Sequence, residues 1–315
     1  LIPYFRPGPF EIVGPIVIQP WGFLVAMGFV LGTVVTQRYA RRRGLDPTLF
    51  SDVVVWLAVG ALVFGHLGHA LFYDPKYYLE KPWELLYVWS GLSSYGGFFG
   101  CAVLAVTFFR RRGVNVLRGS DLLLVGLTFG WMLGRVGCFV VHDHIGRKVS
   151  EAPQWVQSSL HWLAVQYPST AEFEAAGGVV RMGGQGSYIA KKAGEPFEFL
   201  SQSNLLDTIR FDLGLMDSIL AAVVFAVLVF VARKPRREGV LMVVTVLMYG
   251  SVRFFLDFLR NTDLGQPDTR YFGLTPAQYG SLALIVVGFL LFRESRKRPV
   301  WPEPGTKPWV DPPAA

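Results

Sequence analysis

The sequence is short of charge. Asp, Glu, Lys and Arg make up 17% of its 315 residues, against roughly 25% in an ordinary soluble domain. It holds two cysteines, Cys101 and Cys138, and five histidines. Two cysteines set inside apolar runs exclude a disulfide framework and read as small buried side chains. No HExxH and no paired-cysteine spacing accompanies His66, His69, His142, His144 and Asp143, so no metal site is expected. No internal repeat is visible, and no chain of carboxylates and histidines crosses an apolar segment. These absences set aside a repeat-built transporter and a proton pathway. The basic start and small-residue cleavage site of a secretory signal are also missing, so the first apolar run is expected to be a retained anchor.

What is present is apolar and aromatic. Apolar types reach 52% and aromatics 15%, with a net charge of +7. A basic nucleic-acid-binding domain would carry its charge on soluble helices. Here the charge comes in short bursts between long apolar runs, which is a membrane pattern, and no nucleic-acid partner is expected. A spanning helix needs about 20 mostly apolar residues. Seven candidates fit: 16–37, 52–73, 91–109, 120–141, 213–232, 239–259 and 272–292. The third is interrupted by Ser93-Ser94-Tyr95-Gly96-Gly97, and small residues let membrane helices approach closely.

The basic residues fix an expected orientation. Arg38 and Arg41 to Arg43 follow span one, Arg110 to Arg112 and Arg118 follow span three, and Arg233, Lys234, Arg236 and Arg237 follow span five. Arg293, Arg296, Lys297, Arg298 and Lys307 follow span seven. The short links on the other side carry few: Lys76 and Lys81 after span two, Arg260 and Arg270 after span six. By the positive-inside rule the N-terminus lies outside and the C-terminus in the cytoplasm. The expected class is an all-α integral membrane protein. Residues 1–141 and 213–297 form the seven-helix membrane domain, and 142–212 an extracytoplasmic insert. The Pro-rich stretch 298–315 is expected to be a disordered cytoplasmic tail. So long an insert is usually functional. Its Gly-rich stretch from Gly177 to Gly186 reads as turns and short strands, and Trp155, Trp162 and Phe197 are candidates for a small core.

Ionisable groups inside spans cost about 2.5–3.5 kcal/mol each on insertion scales, so each is a functional candidate. In span four, Arg135, Cys138 and His142 share one helical face at i, i+3 and i+7. In span six, Tyr249, Arg253, Asp257 and Arg260 form another stripe, on which Arg253 and Asp257 can pair. Arg210, Asp212 and Asp217 stand at the start of span five. Arginine grips phosphate through two parallel hydrogen bonds. Arg135, Arg210 and Arg253 in the outer half of a membrane therefore suit a phospholipid headgroup whose tails stay in the bilayer.

Several stretches, in order, resemble the bacterial prolipoprotein diacylglyceryl transferase family. Gln19-Pro20-Trp21-Gly22 matches its first-span motif, where the third position is normally Tyr. Gly65-His66-Leu67-Gly68-His69-Ala70-Leu71-Phe72-Tyr73 matches the end of the second span. Ser90-Gly91-Leu92-Ser93-Ser94-Tyr95-Gly96-Gly97 matches a segment that usually contains His-Gly-Gly. Residues 134–147 match the signature Gly-Arg-x-Gly-Asn-Phe-x-Asn-x-Glu-x-x-Gly-Arg, residues 249–260 the sixth span, and Leu274-Thr275-Pro276-Ala277-Gln278-Tyr279 the start of the seventh. The resemblance covers nearly the whole chain. The departures are Tyr95 for His, Cys138 and Val141 for Asn, and Asp143 for Glu. A His-Pro-Ser-Gln-x-Tyr-Glu segment has also become residues 211–217.

The resemblance implies a multi-pass enzyme of the bacterial plasma (inner) membrane, without cofactor. It would move the diacylglyceryl group of phosphatidylglycerol onto the lipobox cysteine of a prolipoprotein signal peptide, with membrane lipids around it. In that reading Arg135 and Arg210 bracket the phosphate, with Arg253–Asp257 as a supporting pair. Asp143 is the first candidate for the base or its orienter, and His142 or His144 the second. Tyr95 would hydrogen-bond the glycerol or the thiolate. Cys138, Gly146, Arg147, Gly96, Gly97 and Trp21 would line the substrate. The alternatives are a divergent phospholipid-dependent transferase with another acceptor, or a non-enzymatic lipid-binding membrane protein.

Overall fold

The structure is a computed structural model. It describes all residues except 14–15, 73, 89, 177, 183–187, 193–204, 265–269, 303–305 and 311–315. The chain begins with short strands β1 (Ile2–Pro3), β2 (Phe10–Val13) and β3 (Ile16–Ile18). Helices α1 (Pro20–Arg42) and α2 (Thr48–Phe72), the short α3 (Pro75–Glu80), and then α4 (Ser94–Arg111) and α5 (Val116–Val141) follow. The stretch after α5 is mixed: β4 (Ile145–Lys148), α6 (Gln154–Leu160), β5 (Ala164–Gln166), α7 (Thr170–Ala175), β6 (Gly178–Met182), β7 (Tyr188–Lys192) and β8 (Ile209–Asp212). Then come α8 (Leu213–Val231), β9 (Arg236–Arg237), α9 (Val240–Leu256), α10 (Pro276–Ser295) and β10 (Val300–Trp301).

Local chemistry sets the helix ends. Proline opens α1 and α10, where its missing N–H costs nothing. The Asn115 side chain accepts from the N–H of Leu117 and Arg118 at the start of α5. Arginines close α1, α4 and α10, opposite the negative end of the helix dipole. Among the described residues six helices, α1, α2, α5, α8, α9 and α10, are long and apolar enough to cross a membrane. Their large apolar side chains, such as Val30, Phe230 and Phe289, stand exposed, as suits contact with lipid. The expected third span corresponds to α4, which is 18 residues long and is not one of the six. Its first turn carries Ser94, Tyr95, Gly96 and Gly97 in place of apolar residues.

The chain divides into two compact units. The first comprises Leu1–Gly28, Trp131–Val224 and Val246–Val287. Its centre is a four-stranded sheet in the order β1-β5-β8-β4, with β1 parallel to β5 and the other pairs antiparallel. Val149, Val156, Leu163, Ala164, Phe211 and Leu213 pack one core, and Val165, Tyr167, Phe173, Leu205 and Leu206 a second. The insert is thus an α+β layer rather than a loop. Trp155 and Trp162, expected in its core, are exposed; Ala164 and Val165 of β5 and Phe211 of β8 fill it instead. Phe197 lies outside the described residues. The expected strands of the Gly-rich stretch are the antiparallel pair β6–β7.

The second unit comprises Phe29–Gly130, Phe225–Thr245 and Gly288–Ala315. Here α2 and α4 pack on glycine: a Cβ on Gly96 would lie 2.2 Å from the Phe64 carbonyl oxygen. Asp121 accepts from the backbone N–H of Gly239 and Met242 at the start of α9, which satisfies donors a helix terminus leaves bare. Arg43 is buried, donates to the carbonyl of Ala232 at 2.6 Å, and lies over the Trp301 ring. Within the stretch expected to be disordered, Val300–Trp301 pair with Arg236–Arg237, and Trp301 is buried.

Candidate active site

The first unit gathers most of the residues singled out above. Arg135 lies on the last turns of α5, and its Nη2 is 3.3 Å from an Asp217 carboxylate oxygen on α8. Asp217 also takes Arg253 of α9 at 3.3 Å, so one fully buried carboxylate joins two arginines. Arg253 in turn donates to Asp257 at 3.1 Å, as the stripe on α9 predicts. Asp257 is 3.7 Å from Arg260 and also accepts from the Thr275 hydroxyl. Charges so deep need partners, and this chain of guanidinium and carboxylate groups supplies them across three helices. Arg135 keeps 18% of its side chain exposed, against 8% for Arg253. Arg147 has its Nε buried with no hydrogen-bond partner among the described residues.

Helix α5 ends abruptly, and that ending arranges the remaining groups. His142 takes a left-handed conformation, φ 49°, a geometry that closes helices. The N–H of Asp143 then turns back to the carbonyl of Cys138. His142 therefore leaves the face it would share with Arg135 and Cys138. Its Nδ1 lies 2.8 Å from an Asp212 carboxylate oxygen and its Nε2 3.1 Å from the Phe5 carbonyl oxygen, and the ring stacks on Tyr4. This corrects the expectation that His142 serves as a base beside Arg135: it is turned away from that face and held against Asp212 and the Phe5 carbonyl.

His144 takes the place left open. Its Nδ1 is 2.5 Å from Asp143 Oδ1, and its Nε2 is 3.2 Å from Arg135 Nη1. That same Nη1 is 3.8 Å from Cys138 Sγ. Burial works to lower the His144 pKa, but hydrogen bonds to Asp143 and Cys138 and the Asp143 charge raise it to about 9. Position 144 carries no motif letter in the family signature, so the signal for it lay only in its place next to Asp143.

Arg210 has a different role from the one expected. Its side chain is fully buried, and both ends of the fork donate to Asp263, at 2.9 and 2.5 Å. It also donates to the carbonyl of Gly146 and the hydroxyl of Thr208. A fork so occupied holds β8 in place and is not presented to a phosphate. Gly146 is equally structural. A Cβ there would lie 2.7 Å from the Phe211 carbonyl oxygen and 2.8 Å from that of Leu259. Trp21 lies against Gly137. Gly96 and Gly97 belong to the second unit, where Gly96 faces Phe64 and Gly97 faces Ala61. The side chain of Tyr95 lies outside the described residues.

Arg135 and Arg253 thus meet on Asp217, with Gly146, Arg147 and Arg260 at their motif positions. A family model described as prolipoprotein diacylglyceryl transferase matches residues 7–293. The chain belongs to the prolipoprotein diacylglyceryl transferase family. Among similar proteins are phosphatidylglycerol–prolipoprotein diacylglyceryl transferases of three bacteria. That of Azoarcus sp. is 29% identical over 289 residues, covering 90% of this chain and 92% of the relative. That of Chromobacterium violaceum is 27% identical over 307 residues, covering 94% and 98%. That of Burkholderia mallei is 29% identical over 298 residues, covering 92% and 94%.

Proposed function

We propose that this member of the family transfers the diacylglyceryl group of phosphatidylglycerol to the lipobox cysteine of a prolipoprotein signal peptide, in lipoprotein maturation. The observation that carries the reading is the pairing of Arg135 and Arg253 through the buried Asp217, at positions that match the family motifs. The nucleophile is the peptide's thiol, so the enzyme has to bind the lipid, take a proton and stabilise the departing phosphate. A free thiol has a pKa near about 8.5, and its thiolate is the reactive form.

In this reading the Arg135 guanidinium receives the lipid phosphate, and Arg147, with its unpartnered Nε, adds a second contact. Fixed donors aimed at the charge that develops on a leaving group are among the strongest catalytic devices. Arg253, Asp217 and Asp257 hold Arg135 in register. Asp143 orients His144, whose Nε2 takes the thiol proton. Arg210 is a positioning residue, since it ties β8 to Asp263. The chain crosses the bacterial inner membrane seven times, α4 included, with its N-terminus outside and residues 142–212 as the extracytoplasmic layer.

The test is direct. Purified protein in detergent micelles containing phosphatidylglycerol is incubated with a lipobox peptide bearing one cysteine. Mass spectrometry is expected to show one diacylglyceryl adduct on the peptide, and none on a peptide with serine in place of cysteine. An unmodified cysteine peptide overturns the proposal.

A further inference from the structure

The cluster that closes α5 contains more than proton transfer to a peptide requires. Cys138 Sγ, a His144 ring nitrogen and an Asp143 carboxylate oxygen all lie within 4.8 Å of one another. Such a trio has ligand types suited to a soft cation, but the place for one is taken: Arg135 Nη1 is 3.2 Å from His144 Nε2 and 3.8 Å from Cys138 Sγ. A guanidinium there favours an anion. The order of groups is instead that of a nucleophile, a base and an orienter. Asp143 fixes Nδ1, Nε2 meets Arg135 Nη1, which also reaches the sulfur, and the sulfur sits one helical turn from the arginine assigned to the phosphate. The family signature has an asparagine amide at this position, which has no nucleophilic sulfur.

We propose that Cys138 is itself an acceptor: without a peptide thiol it takes the diacylglyceryl group of the bound phospholipid. The inference rests on the function proposed above. The Cys138 thiol gives its proton to His144 Nε2, and the sulfur attacks the glyceryl carbon that bears the phosphate. A C–S bond forms as the C–O bond to phosphate breaks. Glycerol phosphate leaves with the electron pair, next to Arg135. The product is a thioether, which water does not cleave, so each chain reacts once and is then withdrawn from turnover. Nothing beyond the lipid is consumed. Cys101 has no such surroundings: its thiol donates to the carbonyl of Leu57.

The experiment uses the full chain in detergent micelles with phosphatidylglycerol of defined acyl chains and no peptide. Intact-mass and peptide-mapping spectrometry are read over time, and a parallel sample receives the lipobox peptide. The expected result is one diacylglyceryl adduct per chain, on Cys138, stable to neutral hydroxylamine and absent from Cys138→Ser. His144→Asn should slow its formation by roughly 10²-fold, the low end for loss of a positioned base. An active preparation that lipidates the peptide but leaves Cys138 free overturns this inference alone. A preparation that modifies neither thiol overturns both proposals. A single acyl group on Cys138, released by neutral hydroxylamine, would mean attack at an ester carbonyl and also overturns it.

Discussion

At the scale of single residues, the site is a set of charges held in place by other charges. Arg135 is the less enclosed of the two arginines on Asp217, which is why the proposed function gives it the lipid phosphate. Arg135→Gln should lower lipidation of the cysteine peptide by at least about 10²-fold, the cost of removing one donor to a developing anion. The variant should still be recovered from the membrane fraction in normal amount. His144 supplies a pH signature. As the proposed base it has to be neutral to accept a proton, so the rate should climb with pH toward about 9, to which Asp143 and Cys138 raise its pKa. Asp143→Asn removes the hydrogen-bonded anion that raises this pKa. The rising limb should then move down toward the ordinary histidine range near about 6.5. A pH–rate profile measured on both proteins checks the direction. Residue identity alone revealed the arginines, because charge in an apolar run is conspicuous. It misled at His142, since seven residues of spacing place a side chain on a face only if the helix continues that far. One left-handed residue was enough to exchange His142 for His144.

At the scale of elements, the long helices follow from hydropathy, and the α9 stripe follows from helical geometry: Arg253 and Asp257 meet because four residues make about one turn. The layer between α5 and α8 did not follow. Arg210 and Asp263 are separated by 53 positions, and no local pattern links a strand arginine to an acid beyond another helix. Asp263→Asn leaves a fully buried guanidinium without its anion, which should cost roughly 3 kcal/mol, read as a lowered Tm in detergent. The pair also sets an acid limit. The Arg210 hydrogen bonds hold the Asp263 carboxyl below its ordinary value. Its contribution is therefore complete above about pH 4, the unfolded carboxylate range, and is lost as pH falls through the depressed pKa. Gly146→Ala tests the same junction by volume. Two carbonyl oxygens occupy the place of the new methyl group, and overpacking of this kind typically costs about 1–3 kcal/mol. The variant should lose thermal stability and activity together, whereas Arg135→Gln should lose activity alone.

For the molecule as a whole, the expected topology is open to a labelling test. In an otherwise cysteine-free protein in sealed right-side-out vesicles, Glu174→Cys is expected to react with a membrane-impermeant maleimide, and Gly113→Cys only after the vesicles are opened. The reverse pattern would invert the assignment drawn from the basic links. The Arg210–Asp263 pair has one more consequence, for exchange between relatives. A segment that begins after α5 and ends at α8 looks like a cassette to be cut out and replaced. Yet its last strand is fastened by an acid lying beyond α9, and its sheet is edged by Ile2–Pro3. A chimera that swaps the cassette alone would strand an arginine in one parent and an aspartate in the other. Only grafts that carry all three chain segments together should yield a folded hybrid.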